Sequence, residues 1–217
     1  MNPDHPAQIP IDPVVTGDPL SQAAAQVEYV PADFFKRVPL ETLFSKPGPL
    51  EVDIGCGEGA FIAAMAERYS DRNFVGIERL LGRVNTVCRI AAHRRLDNIR
   101  VLRVESSYVV EHLLPRESVA VAHVLFPDPW PKRYHHPRRL IQPAFMKALH
   151  GLLAPGGELR VKTDDQPYFL WMEKVFATAE GFERVDWPED PDYPVTNFER
   201  RFLAQGLPIY RARLRKI

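Results

Sequence analysis

The stretch PLEVDIGCGEGAF, residues 49–61, sets how the rest of the chain is read. Its first six residues are an apolar run of the length expected for a buried strand, and a helix is expected over 60–68. Between them stand Gly55, Gly57 and Gly59, which let the backbone turn sharply after a strand and approach a ligand closely. Outward from this unit, short apolar runs alternate with helical stretches. Strands are expected at 73–78, 98–105, 118–126 and 157–164, helices at 80–95, 142–153 and 167–179, and strand-like pieces at 181–187 and 209–217. Such alternation predicts an α/β fold with a mostly parallel sheet and ligands at the carboxyl ends of its strands.

A length of 217 residues, 45% hydrophobic and 26% charged, suits one globular domain of ordinary size. Five prolines in residues 1–20 point to a mobile arm. The organisation expected is an arm over 1–30 and a single domain over 31–217. No apolar run is long enough for a membrane span, and the N-terminus lacks the basic and apolar regions of a secretory signal. Cys56 and Cys88 are too few for a disulfide framework, so a reduced, cytoplasmic setting is expected. Basic and acidic residues balance at 28 each, and any nucleic-acid reading must rest on local charge. Local charge is uneven: residues 79–103 hold seven arginines against Asp97 alone, and residues 200–217 hold five arginines and Lys216 without an acid.

The glycine turn alone also fits a loose dinucleotide fingerprint. Acids near it narrow the choice. A pyrophosphate favours a helix N-terminus free of carboxylates, yet Asp53 and Glu58 flank the turn. S-adenosylmethionine carries an ammonium and a sulfonium and no phosphate, so acids favour it. Glu78, closing the second strand, is placed to accept ribose hydroxyls or simply to cap the strand end. Glu105, closing the third, is a candidate for the adenine edge.

The segment FPDPWPKRYHHPRRL, 126–140, follows the fourth strand. Four prolines are expected to stiffen it in extended conformation and to hold Asp128 and Trp130 in place. Lys132, Arg133, Arg138 and Arg139, with His135 and His136 between, form a basic stretch suited to phosphates and a stacked base. Adjacent histidines point apart and no third ligand is near, so no metal is expected. Thr196 and Glu199 have capping-box spacing. Arg79, Arg83 and Arg94 share a helix face that is either solvated or a phosphate track, and the Arg-rich tail is open to the same two readings.

FPDPWPKRYHHPRRLIQPAF (126–145), with TDDQPYF (163–169) and TNFERRF (196–202), resembles the hallmark segments of the bacterial tRNA (guanine-N7-)-methyltransferase family, in order and over most of the chain from Glu51 to Leu214. The resemblance implies a class I methyltransferase (Rossmann-like) fold of seven strands, the last antiparallel, with helices on both faces. It implies S-adenosylmethionine as donor, tRNA as partner and a variable-loop guanine as target. Asp53, Gly55, Gly57, Glu78, Glu105 and Asp128 would line the donor site. Lys132, Asp164, Thr196, Asn197, Phe198 and Glu199 would contact the substrate. Asp53 stands where the family more often has Glu, Tyr134 and Pro137 at frequently basic positions, and Asp165 in place of a common aromatic. No obligate protein partner is expected, and a monomer or homodimer fits equally.

Guanine N7 has a free lone pair in the ring plane, so no general base is required. Alignment and a carboxylate facing the developing cation suffice, and Asp128 is the catalytic candidate. The rival readings are a related methyltransferase for another substrate, a noncatalytic module on the same fold, and a dinucleotide-dependent oxidoreductase. Glu58 and the lack of a hydride-handling residue weigh against the last.

Overall fold

The computed structural model describes residues 19–187 and 193–217. Its strands are β1 (Leu50–Ile54), β2 (Asn73–Ile77), β3 (Ile99–Leu102), β4 (Val119–Leu125), β5 (Leu153–Thr163), β6 (Phe182–Val185) and β7 (Tyr210–Lys216). Its helices are α1 (Pro19–Ala25), α2 (Leu40–Leu43), α3 (Ala60–Arg68), α4 (Leu81–Arg94), α5 (Ser106–Tyr108), α6 (Pro143–Leu152), α7 (Gln166–Phe176) and α8 (Asn197–Ala204). The strands form one sheet in the order β3-β2-β1-β4-β5-β7-β6. β1 to β5 pair in parallel, and β7 runs antiparallel to both β5 and β6.

Every residue of β1 and β2 is buried, as expected of central parallel strands covered on both faces. On one face Val52, Ile54, Val124, Leu159, Val161 and Leu214 pack against α6 and α7 through Met146, Leu149, Tyr168 and Met172. On the other, Phe61, Ile62 and Met65 of α3 and Val84, Val87 and Cys88 of α4 close over Phe74, Ile99 and Val101. On this second face, from β1 outward, Asp53, His123, Arg160 and Arg213 lie in register across four strands as a polar row.

Differences from the sequence expectations have local causes. β3 ends at Leu102 rather than 105, and Glu105 turns out of the strand to cap α5 by accepting from the Tyr108 amide at 2.9 Å. β5 begins at Leu153, where Pro155, Gly156 and Gly157 accompany a register shift against β4. Residues 127–131 carry no regular secondary structure, but Arg133–Arg138 form a 3-10 helix containing Pro137, correcting the fully extended loop expected there. Residues 1–18 of the expected arm lie outside the described residues. Residues 19–30, counted with that arm, dock on the domain: Val27 is 4% exposed, its carbonyl accepts from Val101, and Tyr29 donates to the Val101 carbonyl.

Candidate active site

Asp53, the glycine turn, Glu78, Glu105, Asp128 and Asp164 all fall at or just beyond the carboxyl ends of parallel strands. The turn hooks onto the end of β2, since the amides of Gly55 and Cys56 donate to the Ile77 carbonyl at 2.9 and 3.0 Å. Gly59 caps α3 with φ 79°, a left-handed conformation that costs ordinary residues about 1–2 kcal/mol. A Cβ there would also sit 2.7 Å from a Val87 methyl, so α4 packs closely only because this residue is glycine.

Asp53 is 4% exposed, and burial together with the charge of Glu78 pushes its carboxyl up to about 7. Glu78 is oriented by its neighbours: Oε1 accepts from the Arg79 and Leu80 amides at 2.8 and 2.9 Å, and Oε2 lies 3.4 Å from Arg83. The fold thus brings Asp53 and Glu78 within each other's field beside exposed Gly55. Two adjacent acids, with Glu78 the one charge that shifts Asp53, suit a cationic ligand and oppose a pyrophosphate. Glu105 stands further along the same rim, exposed.

After β4, Phe126 and Trp130 both adopt positive φ, 55° and 46°. Two strained residues persist only where surroundings over-determine them, and Arg139 supplies part of that constraint. Its Nε donates to the Pro129 carbonyl at 2.8 Å, and its guanidinium lies 4.8 Å from the ring centre of Tyr168 on α7. Arg139 is 4% exposed, so it braces the loop and is not free for a phosphate, a correction to its sequence reading. Asp128, between the strained residues, is exposed and has no hydrogen-bond or ion-pair partner among the described residues. Trp130 packs beneath Arg138 and edge-on to His135.

The remaining expected substrate residues divide in two. Lys132, Asn197 and Phe198 are exposed and Asp164 is half-buried. Thr196 and Glu199 are buried: Thr196 caps α8 by accepting from the Glu199 amide at 3.0 Å, and both Glu199 carboxylate oxygens face Lys162. Phe126 meets Phe198 and Phe202, joining the end of β4 to α8. Asp165 caps α7 by accepting from the Tyr168 amide at 2.7 Å, which gives the departure at that position a structural role. Sequence reading missed Lys162, His123 and Tyr193, and read Arg139 as a phosphate contact rather than a brace. The available signal was His123, a polar residue set inside the otherwise apolar strand VAVAHVL.

The arginine clusters also separate. Arg83 pairs with Glu78 and Arg94 with Glu67, and in the tail Arg213 and Arg215 pair with Glu158 and Glu183. Arg79, Lys132, Arg133, Arg138, Arg201 and Arg211 have no ion-pair partner among the described residues, and all are exposed. Five of these six follow β2 or β4 or begin β7, and Arg201 lies on α8, so this group sits at the rim that carries the acids, whereas Arg89, Arg95, Arg116, Lys147 and Lys174, also exposed and without an ion-pair partner among the described residues, lie elsewhere.

A seven-stranded sheet with only β7 reversed, a glycine turn after β1 and acids along the strand ends is the architecture of a class I methyltransferase. A crystal structure of the 16S rRNA methyltransferase KamB superposes with TM-score 0.62 at 19% identity, covering 82% of this chain and 92% of that one. A family model described as putative methyltransferase matches residues 47–212. The tRNA (guanine-N(7)-)-methyltransferase of Halorhodospira halophila is 38% identical over 178 residues, 80% of this chain and 77% of its own. That of Syntrophotalea carbinolica is 36% identical over 184 residues, 83% and 77%. The chain belongs to the tRNA (guanine-N7-)-methyltransferase family.

Proposed function

We propose that this protein transfers a methyl group from S-adenosylmethionine to N7 of a guanine in tRNA, the variable-loop guanine being the target. The observation that carries the reading is Asp128: an exposed carboxylate with no partner, on a turn braced by Arg139, beyond the strand that neighbours the glycine turn. Asp53 and Glu78 form a buried acidic corner that fits the ammonium and sulfonium of the donor. When bound, S-adenosylmethionine supplies an electrophilic methyl carbon. The exposed backbone at Gly55 admits it closely, and Glu78, held by two amides, accepts from its ribose.

Asp128 faces the purine, accepting from the guanine's own N–H donors or opposing the positive charge that builds as N7 is alkylated. A preorganised carboxylate at that point stabilises the transition state without moving a proton. His123 is buried and committed within the fold, which agrees with a reaction that needs no general base. The unpaired rim of Lys132, Arg133 and Arg138 meets the phosphate backbone, which accounts for RNA binding by a chain with no net charge.

Purified protein, labelled donor and unmodified tRNA, followed by mapping of the modified base, tests this directly. Label at N7 of a variable-loop guanine is expected. Label on protein or a free metabolite with the RNA unlabelled would overturn the assignment.

A further inference from the structure

Part of the polar row on the second sheet face continues into a buried chain of hydrogen bonds that the transfer chemistry does not use. Glu51 on β1 and His123 on β4 are each 1% exposed. Glu51 Oε1 accepts from Arg72 Nη1 at 2.5 Å, and Glu51 Oε2 lies 2.8 Å from His123 Nε2. His123 Nδ1 lies 2.9 Å from the hydroxyl of Tyr193. Burial alone would raise the Glu51 carboxyl, but the hydrogen bonds and charges of His123 and Arg72 outweigh it and hold it below its ordinary range. Burial pushes the His123 imidazole down while the Glu51 carboxylate pulls it back up. In the neutral tautomer that gives its Nε2–H to the Glu51 carboxylate, Nδ1 is left as acceptor and Tyr193 donates its O–H.

Tyr193 stands where the two halves of the site meet. Its ring centre is 5.2 Å from that of Phe61, in the first turn of the helix that leaves the glycine turn. The ammonium of Lys162, which holds Glu199, lies 4.9 Å from the same ring, and the Trp187 ring meets it edge-on at 5.6 Å. Three residues onward, Thr196 caps α8. An apolar side chain would fill this space without fixing its own rotation, whereas a donated hydrogen bond to a fixed acceptor sets one orientation.

We infer that Tyr193 is a positioning residue, which through the hydroxyl it donates to His123 fixes the Thr196–Glu199 turn against α3 and so sets where the substrate RNA docks relative to the methyl donor. The docking half rests on the function proposed above; the positional half does not.

Tyr193→Phe keeps the ring and deletes the donor. The control is Leu149→Ala, in α6 on the opposite face of the sheet, with both compared at matched loss of Tm. Amide exchange over residues 197–203 of the free protein is expected to quicken about tenfold in Tyr193→Phe beyond the control, the equivalent of one lost hydrogen bond. The KM for unmodified tRNA is expected to rise about fivefold, with donor Kd held within about twofold. Exchange and KM that track the control, or that match the unsubstituted protein, would overturn the inference. If the unsubstituted protein leaves tRNA unmethylated, the substrate reading fails and the exchange comparison alone decides the role of Tyr193.

Discussion

Lys162 on β5 and Glu199 on α8 form a two-point contact, 2.7 and 2.9 Å from the ammonium to the two carboxylate oxygens, with both side chains at most 10% exposed. This pair, together with the contacts of Phe126 to Phe198 and Phe202, ties the short α8 to the sheet, and Glu199 is the helix's buried residue. Burial pulls the Lys162 pKa down while Glu199 pulls it back up, so the ammonium depends on Glu199 for its charge. Removing one partner of such a pair is costlier than removing both.

Glu199→Gln is therefore expected to cost about 3–5 kcal/mol in urea unfolding and to abolish methyl transfer. The double substitution Lys162→Met with Glu199→Leu is expected to regain most of that stability without regaining activity. Glu199→Gln as stable as the unsubstituted protein would show that the pair does not hold α8.

Asp53 predicts a pH response. Its carboxyl ionises near 7 in the folded protein, against 3.8 for the unperturbed group. The folded state therefore binds this proton more tightly than the unfolded state, and the Asp53 contribution to stability declines as pH rises from about 4 through 7. Binding of the cationic donor runs the other way, because it favours the ionised form. Donor Kd is expected to fall as pH rises from 6 to 8, with proton release visible by calorimetry in buffers of different ionisation enthalpy. Asp53→Asn should bind weakly and with a flat profile; a sloping profile in that variant would assign the proton elsewhere.

Asp128 is exposed and unpaired, so its replacement should leave the fold within about 0.5 kcal/mol of the unsubstituted protein. Asp128→Ala is expected to lower kcat by about a hundredfold or more while donor affinity changes little. Equal losses in turnover and donor affinity would make Asp128 a donor-holding residue only.

The split among arginines is open to a salt titration. Arg133→Ala or Arg138→Ala should weaken RNA binding and reduce the slope of log K against log salt by about one each. Arg215, paired with Glu183 at 3.4 Å, should leave the slope unchanged when replaced by Ala. A slope that responds to Arg215 but not to Arg133 would move the RNA track to the C-terminal strand.

Most of the fold was legible because its strands are short buried runs and its helices carry a clear apolar period. β1, β2, α3 and α4 fall within one or two residues of their expected bounds. The acids at the strand ends were legible for the same reason: once a strand is placed, its last residue is placed too. Pairing was not legible. Arg213 and Arg139 read as free positive charge until Glu158 and the Pro129 carbonyl are seen beside them, and the separation in sequence gives no hint of either contact. His123 and Tyr193 stayed hidden because their meeting joins positions 70 residues apart in sequence, a contact that no local pattern marks. The 3-10 turn at 133–138 escaped since local hydrogen bonds, His135 to the Lys132 carbonyl and Arg139 to that of His136, outweigh the extended bias of neighbouring prolines.

β3 lies at the rim of the sheet, and the segment from Val27 to Tyr29 occupies both free hydrogen-bonding groups of Val101. That short piece acts as a guard rail. A shortened version beginning after residue 30 would present bare backbone to solvent, and a bare rim of this kind recruits the matching rim of another molecule. The proline-rich start of this protein therefore bears on its colloidal behaviour through the few residues that follow it, whatever the fate of catalysis.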